Sequence, residues 1–157
     1  MKLLLVCTGN ICRSPTAAGV LQRLAHESGL SLSVDSAGTH DYHVGEPPDE
    51  RAQEHARRRG YDLSRLRARQ IAQHDFAAFD LVLALDRGHL SILERLCPRE
   101  QRHKLRMLMD FAPAAGVRDV PDPYYGGPED FEKALDLIEA ASRGLIGHLR
   151  DHLRVST

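Results

Sequence analysis

Short segments of strand character alternate along this chain with longer segments that have helical periodicity. The strand segments are 2–6, 31–35, 81–85 and 105–109. The helical segments follow them in turn, from 15 to about 27, 49–59, 90–96 and 129 to about 153. A repeated strand–helix order favours parallel strands, because each crossover places a helix against the sheet. We therefore predict an α/β fold of three layers, in which a four-stranded parallel sheet carries helices on both faces in a Rossmann-like arrangement.

Residues that favour helix ends predict the limits of the first two helices. Ser14 is a suitable N-cap, Pro15 suits the first helical position and Gly29 can end the helix. Asp49 can cap the second helix, which Gly60 would stop. Between these helices, residues 37–48 form a long loop after the second strand.

Charge and cysteine content limit the partners and the compartment. The 157 residues suit one domain, 1–157, and the net charge of -1 gives no overall attraction to nucleic acid or to a membrane surface. No apolar run approaches the ~20 residues of a membrane span, and no signal-peptide hydrophobic region follows Lys2. Three cysteines are too few for a disulfide scaffold of this size. We expect a cytoplasmic, monomeric protein with free thiols.

The loop from Cys7 to Ser14 joins the first strand to the first helix and has the residues of an oxyanion site. Backbone N–H groups at a helix N-terminus point towards one spot, where the helix dipole adds positive potential. Gly9 and Asn10 tolerate the left-handed backbone that lets successive amides converge. Arg13 adds a two-donor fork suited to phosphate. The same field stabilises a thiolate, so Cys7 is predicted to be a nucleophile aimed at phosphorus, with Ser14 hydrogen-bonded to its sulfur.

Other interpretations of this loop fit its residues less well. A Walker A loop would need Gly-Lys-Ser/Thr. A zinc site would need a second pair of ligands beside Cys7 and Cys12, and the nine histidines are scattered, so we expect no metal or cofactor. A buried cysteine without a role is the plain alternative. The Cys-x5-Arg spacing between a strand and a helix favours a chemical role for Cys7 over a purely buried one.

Two motifs resemble those of the low-molecular-weight protein tyrosine phosphatases. The stretch Cys7–Pro15, CTGNICRSP, resembles the family's signature, and Asp122–Tyr125, DPYY, resembles the loop that carries its general acid. Weaker matches lie between them, at 35–39, 45–49 and 68–70, so the resemblance covers nearly the whole chain. It implies metal-independent hydrolysis of phosphotyrosine and small aryl phosphates through a cysteinyl-phosphate intermediate.

The resemblance also implies roles for individual residues. Cys7 attacks phosphorus, Arg13 and the loop amides hold its oxygens, and Asp122 protonates the leaving phenolate and then activates water. Asn10 holds the loop in its left-handed turn, and Ser14 supports the sulfur. The other loop residues that bind phosphate or face the substrate are Thr8, Gly9, Ile11 and Cys12.

Three tyrosines are predicted to form walls of the substrate pocket. Tyr124 and Tyr125 follow the acid in its motif, and Tyr42 lies in the loop that the resemblance places beside the pocket. Surface aromatics without a role are the alternative. His43, in the same loop as Tyr42, is expected to be merely solvated.

The sequence leaves two features of the loop undecided. The resemblance supports a reversible Cys7–Cys12 disulfide that guards the nucleophile against over-oxidation, and a packed Cys12 is nearly as good an interpretation. Family members often carry a histidine two residues before Ala-Arg-Gln that supports Asn10, whereas this chain has Leu66 there. Either another group orients Asn10, or the loop is less stiff.

Three rival functions share part of this pattern. An arsenate reductase of the same fold needs two further cysteines, and only Cys97 remains. Protein arginine phosphatases carry Thr where this chain has Ile11 and lack the paired tyrosines. A non-catalytic phosphate-binding module would not need Cys7, Arg13 and Asp122 together. The expected partners are therefore a phosphotyrosine protein, with a tyrosine kinase as one candidate, and phosphate or vanadate as inhibitors.

Overall fold

Four parallel strands form the centre of the computed structural model, which describes residues 1–156 and the side chains of residues 1–152. The strands are β1 (Lys2–Cys7), β2 (Ser33–Gly38), β3 (Leu81–Ala84) and β4 (Leu105–Met107). They lie in the order β2-β1-β3-β4, and every neighbouring pair is parallel. The predicted four-stranded parallel sheet is confirmed.

Five α-helices within residues 1–156 connect and follow the strands. They are α1 (Arg13–Glu27), α2 (Glu50–Arg58), α3 (Asp75–Ala78), α4 (Arg87–Leu96) and α5 (Pro128–Ser156). Short 3-10 turns span Arg99–Lys104, Leu108–Phe111 and Pro113–Ala115. None of the helices in this described part of the chain has the length and apolarity needed to cross a bilayer.

The two faces of the sheet carry separate hydrophobic clusters, because side chains alternate along a strand. Leu3 and Leu5 of β1 pack with α1 and α5 on one face. Leu4 and Val6 pack with Phe76 of α3 and with α4 on the other. The helices therefore cover both faces, as predicted. The sheet order reverses between β1 and β3, and at such a point the loops after the two strands part and leave a crevice.

The predicted limits of the second and fourth strands differ from the structure by two residues or more. The second strand is Ser33–Gly38 rather than 31–35, because it pairs with all of β1, from Lys2 opposite Ser33 to Cys7 opposite Gly38. Its last residues are weak strand formers, so their own pattern could not predict this. Gly38 permits a close approach, since a Cβ there would lie 2.6 Å from the Thr8 carbonyl oxygen. The fourth strand ends at Met107, where a 3-10 turn begins.

Helix ends were predicted with mixed success. Asp49 caps α2 by accepting hydrogen bonds from Arg51 N and Ala52 N, and Gly29 and Gly60 follow their helices with positive φ. The prediction that Ser14 caps α1 is wrong. The helix begins at Arg13, and Cys12 stands at the N-cap without a side-chain bond.

The N-terminus of α4 was also missed, because that helix begins at Arg87 rather than at residue 90. The Asp86 side chain caps it by accepting a hydrogen bond from His89 N. Asp86 lies just beyond the end of β3, so this cap is at the carboxyl end of the sheet, beside the loop after β1.

Candidate active site

Residues 8–12 form a loop at the crevice between β1 and β3 and lead directly into the N-terminus of α1. Asn10 has φ of 59°, and it is the one non-glycine residue with positive φ in the part of the chain that the structure describes. Such a left-handed turn lets successive backbone amides converge in front of the helix N-terminus, which is the geometry of an anion-binding concavity.

Cys7 lies at the base of this loop with its sulfur held by Ser14. The Cys7 Sγ atom is 2.9 Å from Ser14 Oγ and 3.4 Å from Ser14 N, which donates to it. Ser14 Oγ also accepts a hydrogen bond of 2.8 Å from Asn10 Nδ2, so its own proton is free for the sulfur. Ser14 therefore supports a thiolate with two donors instead of capping the helix.

Asn10 is oriented without the histidine that family members often use. Its Nδ2 donates to Ser14 Oγ and to Ser36 Oγ, each at 2.8 Å, and its Oδ1 accepts from Arg69 N at 3.0 Å. Both amide hydrogens are thus used, and Leu66 packs against the hydrophobic core instead. Of the two alternatives that the sequence left open, the structure shows the first: other groups orient Asn10.

Arg13 is buried, with 6% of its surface exposed, and its shortest hydrogen bonds lie on one edge of the guanidinium. Its Nη1 donates to Asp86 Oδ2 at 2.8 Å and to the Val120 carbonyl at 2.9 Å. Its Nη2 lies on the pocket side, 3.7 Å from Asp122 Oδ2. Because a guanidinium cannot lose its charge at working pH, Arg13 presents a fixed cation to the pocket.

Asp122 lines the same pocket, and its side chain is 42% exposed. Its Oδ1 accepts a hydrogen bond of 3.1 Å from Tyr124 N, which shapes the acid loop, and its Oδ2 faces Arg13. The carboxyl group is therefore open to a ligand in the pocket and to water.

The acid loop, residues 122–125, is braced from α2 by Arg51. Arg51 Nη2 donates to the Tyr124 carbonyl at 2.9 Å, and the guanidinium lies 5.4 Å from the centre of the Tyr124 ring and 4.9 Å from that of Phe131. Asp49 pairs with the same group at 3.1 Å. Sequence reasoning did not select Arg51, because nothing local relates it to a loop more than seventy residues away.

An open pocket of about 220 Å³ brings most of the predicted residues together. Its lining comprises Cys7, Thr8, Gly9, Ile11, Cys12, Arg13, Asp122, Tyr42, Tyr124 and Tyr125, and also His43. Asn10 and Ser14 are buried beneath it, where they hold the loop and the sulfur.

His43 lies in the pocket wall, so the expectation that it is merely solvated is wrong. It packs against Gly9, where a Cβ would come within 3.0 Å of the imidazole Cδ2, and its Nδ1 is 2.7 Å from Glu46 Oε2. The tyrosines form the rest of the rim. Tyr124 meets Tyr125 edge to face at 4.9 Å, and Tyr42 is largely exposed.

His89 is a second residue that sequence reasoning missed. It is 3% exposed, and its Nε2 lies 2.8 Å from Thr8 Oγ1 and 3.5 Å from Arg13 Nη2. Burial lowers the pKa of His89 to about 4, because the attraction of Asp86 does not offset desolvation and the repulsion of Arg13. The imidazole is therefore neutral near pH 7. The sequence signal that could have identified His89 is the Asp-x-x-His pattern of residues 86–89. This pattern follows a strand next to the point where the sheet order reverses.

All three cysteines are free thiols. Cys12 packs with Ile11, Ala52 and Phe131, and burial raises the pKa of its thiol, so it is protonated. The structure shows the packed state, and the disulfide with Cys7 stays a prediction.

Among the described residues, no group of three or more His, Cys, Asp or Glu side chains could hold a metal ion. Residues of the chain itself supply the positive charge at the pocket.

Comparison with known proteins gives one consistent result. Residues 2–155 match the family model described as low molecular weight phosphotyrosine protein phosphatase. A low molecular weight protein-tyrosine-phosphatase of Streptomyces coelicolor is 45% identical over 157 residues, covering 97% of this chain and 95% of the relative.

Two solved structures show the same architecture. A protein tyrosine phosphatase of Entamoeba histolytica superposes with a TM-score of 0.94 at 37% identity, over 97% of this chain and 98% of its own. A Drosophila arginine phosphatase superposes with a TM-score of 0.89 at 30% identity, over 95% and 98%.

Proposed function

Because this chain belongs to the low molecular weight phosphotyrosine protein phosphatase family, we propose that it hydrolyses phosphotyrosine and small aryl phosphates through a cysteinyl-phosphate on Cys7. The observation that carries the proposal is the convergence of three groups on one pocket. These are a sulfur supported by two donors of Ser14, a guanidinium anchored on its far edge, and an accessible carboxyl group 3.7 Å from that guanidinium.

In the first step, the Cys7 thiolate attacks phosphorus as the bond from phosphorus to the phenolic oxygen breaks. The pocket-facing edge of Arg13 and the loop amides stabilise the charge on the other phosphate oxygens. Asp122, in its acid form, gives its proton to the departing oxygen, so the phenol leaves uncharged.

In the second step, the Asp122 carboxylate takes a proton from water as the water oxygen attacks phosphorus. The bond between sulfur and phosphorus breaks, and inorganic phosphate and the Cys7 thiolate are released. The Ser14 hydroxyl stabilises the leaving sulfur, since a hydrogen bond to a charged group is stronger than one between neutral groups. No metal is needed in either step.

An arginine phosphatase is the nearest alternative, and the fold does not discriminate against it, since one such enzyme superposes closely. The pocket favours an aryl ester instead. Ile11 presents an apolar side chain where a guanidine phosphate needs a polar group, and Tyr124 and Tyr125 supply flat walls for a ring. An arsenate reductase relay is disfavoured, because Cys97 is buried in the cluster on the sheet face away from Cys7.

Compartment and partners follow from the proposed chemistry. A nucleophilic thiol must stay reduced, which supports a cytoplasmic location. The substrate would be a phosphotyrosine protein, a tyrosine kinase being one candidate, and phosphate or vanadate would inhibit by filling the same loop. The near-neutral charge supports neither a nucleic-acid nor a membrane partner, and the enzyme would act as a monomer.

The test is a comparison of substrates with metal chelator present. The purified protein should hydrolyse p-nitrophenyl phosphate and a phosphotyrosine peptide, and be far less active on the matching phosphoarginine peptide. Cys7→Ser is the control that should abolish activity on both aryl substrates. A higher kcat/KM on phosphoarginine than on phosphotyrosine would overturn the assignment of substrate.

A further inference from the structure

Three side chains, His89, Asp86 and Arg13, form a closed ring behind the phosphate loop, and Thr8 of the loop joins this ring through His89. Thr8 Oγ1 lies 2.8 Å from His89 Nε2, and His89 Nδ1 lies 3.1 Å from Asp86 Oδ1. Asp86 Oδ2 accepts from Arg13 Nη1 at 2.8 Å, and Arg13 Nη2 closes the ring at 3.5 Å from His89 Nε2. Asp86 and His89 thus connect the loop to the end of the neighbouring strand.

The surroundings of His89 determine which ring nitrogen carries the proton. Arg13 can only donate, so a hydrogen on Nε2 would face another donor. The Nδ1 atom faces the Asp86 carboxylate, although too obliquely for a hydrogen bond, and has no hydrogen-bond partner among the described residues. The proton therefore lies on Nδ1, where the carboxylate attracts it. Nε2 is then an acceptor for the Thr8 hydroxyl and for Arg13.

We propose that His89 is a positioning residue that holds Thr8 and the phosphate-facing edge of Arg13 in place for the bound phosphoryl group. The inference rests on the proposed phosphatase function. Asp86 fixes only one edge of Arg13, and His89 limits rotation of the other. Thr8 directly follows Cys7, so its bond to His89 also steadies the first turn of the loop.

A purely structural role would not need an imidazole at this position. The cap of α4 uses the backbone N–H of His89, which any residue except proline supplies. The side chain is buried and could be replaced by an apolar group of similar volume if packing were its only task. What an apolar group cannot supply is an acceptor for both Thr8 and Arg13.

Two substitutions at His89 distinguish the positioning role from a purely structural one. His89→Leu keeps bulk and removes the acceptor, and we expect kcat/KM for p-nitrophenyl phosphate to fall about 10- to 100-fold, with weaker inhibition by inorganic phosphate. His89→Gln can place an amide oxygen near the Nε2 position, and we expect it to recover most of that loss. In a double-mutant cycle, Thr8→Val should add little to His89→Leu, because both break the same contact.

Leu93→Ala, one turn along α4, is the matched control. Leu93 is fully buried in the cluster on the far face of the sheet, so the substitution should lower the melting temperature and leave kcat/KM unchanged. If His89→Leu behaves like this control, or if His89→Gln is no better than His89→Leu, the positioning role is wrong.

Calorimetry of inorganic phosphate binding distinguishes this inference from the proposed function. An unmodified protein that binds phosphate but hydrolyses no aryl phosphate would contradict the proposed function alone. Phosphate affinity unchanged in folded His89→Leu would contradict the positioning role alone. Should His89→Leu fail to fold, Thr8→Val decides the question because it removes the same contact from the other side, and wild-type phosphate affinity and kcat/KM in Thr8→Val would overturn the positioning role.

Discussion

Arg13 Nη2 lies 3.7 Å from Asp122 Oδ2, so the cation proposed to hold the phosphate and the group proposed to handle the proton lie side by side in the pocket. Their separate supports explain how they keep this relation. Arg13 is anchored on its far edge by Asp86 and Val120, and the acid loop is braced from α2 by Arg51. A phosphoryl group bound in the loop beside this pair would meet the fixed positive charge of Arg13, and its leaving oxygen would lie near the Asp122 carboxyl group.

The acid role of Asp122 predicts a dependence on the leaving group. Asp122→Ala should reduce kcat for phosphotyrosine by about 10²- to 10⁴-fold, because the phenolate then leaves unprotonated. The rate of the first step with p-nitrophenyl phosphate should fall much less, since nitrophenolate leaves readily without a proton. Single-turnover rates on both substrates give the comparison, and equal losses would mean that Asp122 is not the acid.

The brace from Arg51 to Tyr124 predicts an effect on the same proton transfer. Arg51→Leu loses a hydrogen bond and two ring contacts, so kcat for phosphotyrosine should fall about threefold to tenfold, with a smaller effect on p-nitrophenyl phosphate. Arg57→Leu is the matched control on α2, since Arg57 is exposed and forms an ion pair with Glu54 of the same helix. Steady-state kinetics that show the same loss in both variants would count against the brace.

The support of Asn10 by Ser36 predicts that β2 contributes to catalysis. Ser36→Ala leaves one amide hydrogen of Asn10 buried without its acceptor, and kcat/KM should fall about threefold to tenfold. Ser33→Ala, at the exposed start of the same strand, is the control that should behave as the unmodified protein. Wild-type kinetics for Ser36→Ala would show that the loop keeps its shape without this bond.

The lowered pKa of His89 predicts an acid-dependent loss of stability. Its pKa falls from 6.5 to about 4 on folding, so between these pH values the unfolded chain binds a proton that the folded chain does not. The free energy of unfolding should therefore decrease as pH falls from about 6.5 to 4, by roughly 3 kcal/mol from this group. The charged or titratable groups that act on His89 are Asp86, Arg13, Asp122 and His40.

Urea unfolding over that pH range, on the unmodified protein and on His89→Gln, isolates the contribution. Carboxylates elsewhere titrate in both proteins, so the difference between the two curves belongs to His89 and its neighbours. The variant should have the flatter curve between pH 6.5 and 4. Parallel curves would show that His89 titrates alike in the folded and unfolded chains.

The fold and the nucleophile loop were predictable because their signals are local. Alternation of strand and helix segments indicates a parallel sheet. The residues from Cys7 to Arg13 are close together in the sequence, so their chemistry can be recognised without knowing the fold. The limits of β2 were not predictable in the same way. Pairing with β1 determines them, and Ser36 to Gly38 have little strand propensity of their own.

The residues that sequence reasoning missed or misassigned depend on distant partners. His89 meets Thr8 across 81 positions of chain, and Arg51 meets the acid loop across 73. His43 enters the pocket through the path of its loop over Gly9. Ser14 has the composition of a helix cap, and only the positions of Cys7 and Asn10 show that its hydroxyl is used elsewhere.

The measurement that most directly tests the account is detection of the phosphoryl group on Cys7. In Asp122→Ala, p-nitrophenyl phosphate should still phosphorylate the sulfur, but water would lack its base, so the intermediate should accumulate. Acid quenching and peptide mass spectrometry should then find one added phosphoryl group on the Cys7 peptide. It should persist with Cys12→Ser added and be lost with Cys7→Ser. Phosphoryl transfer to another residue, or turnover that continues in Cys7→Ser, would contradict the mechanism.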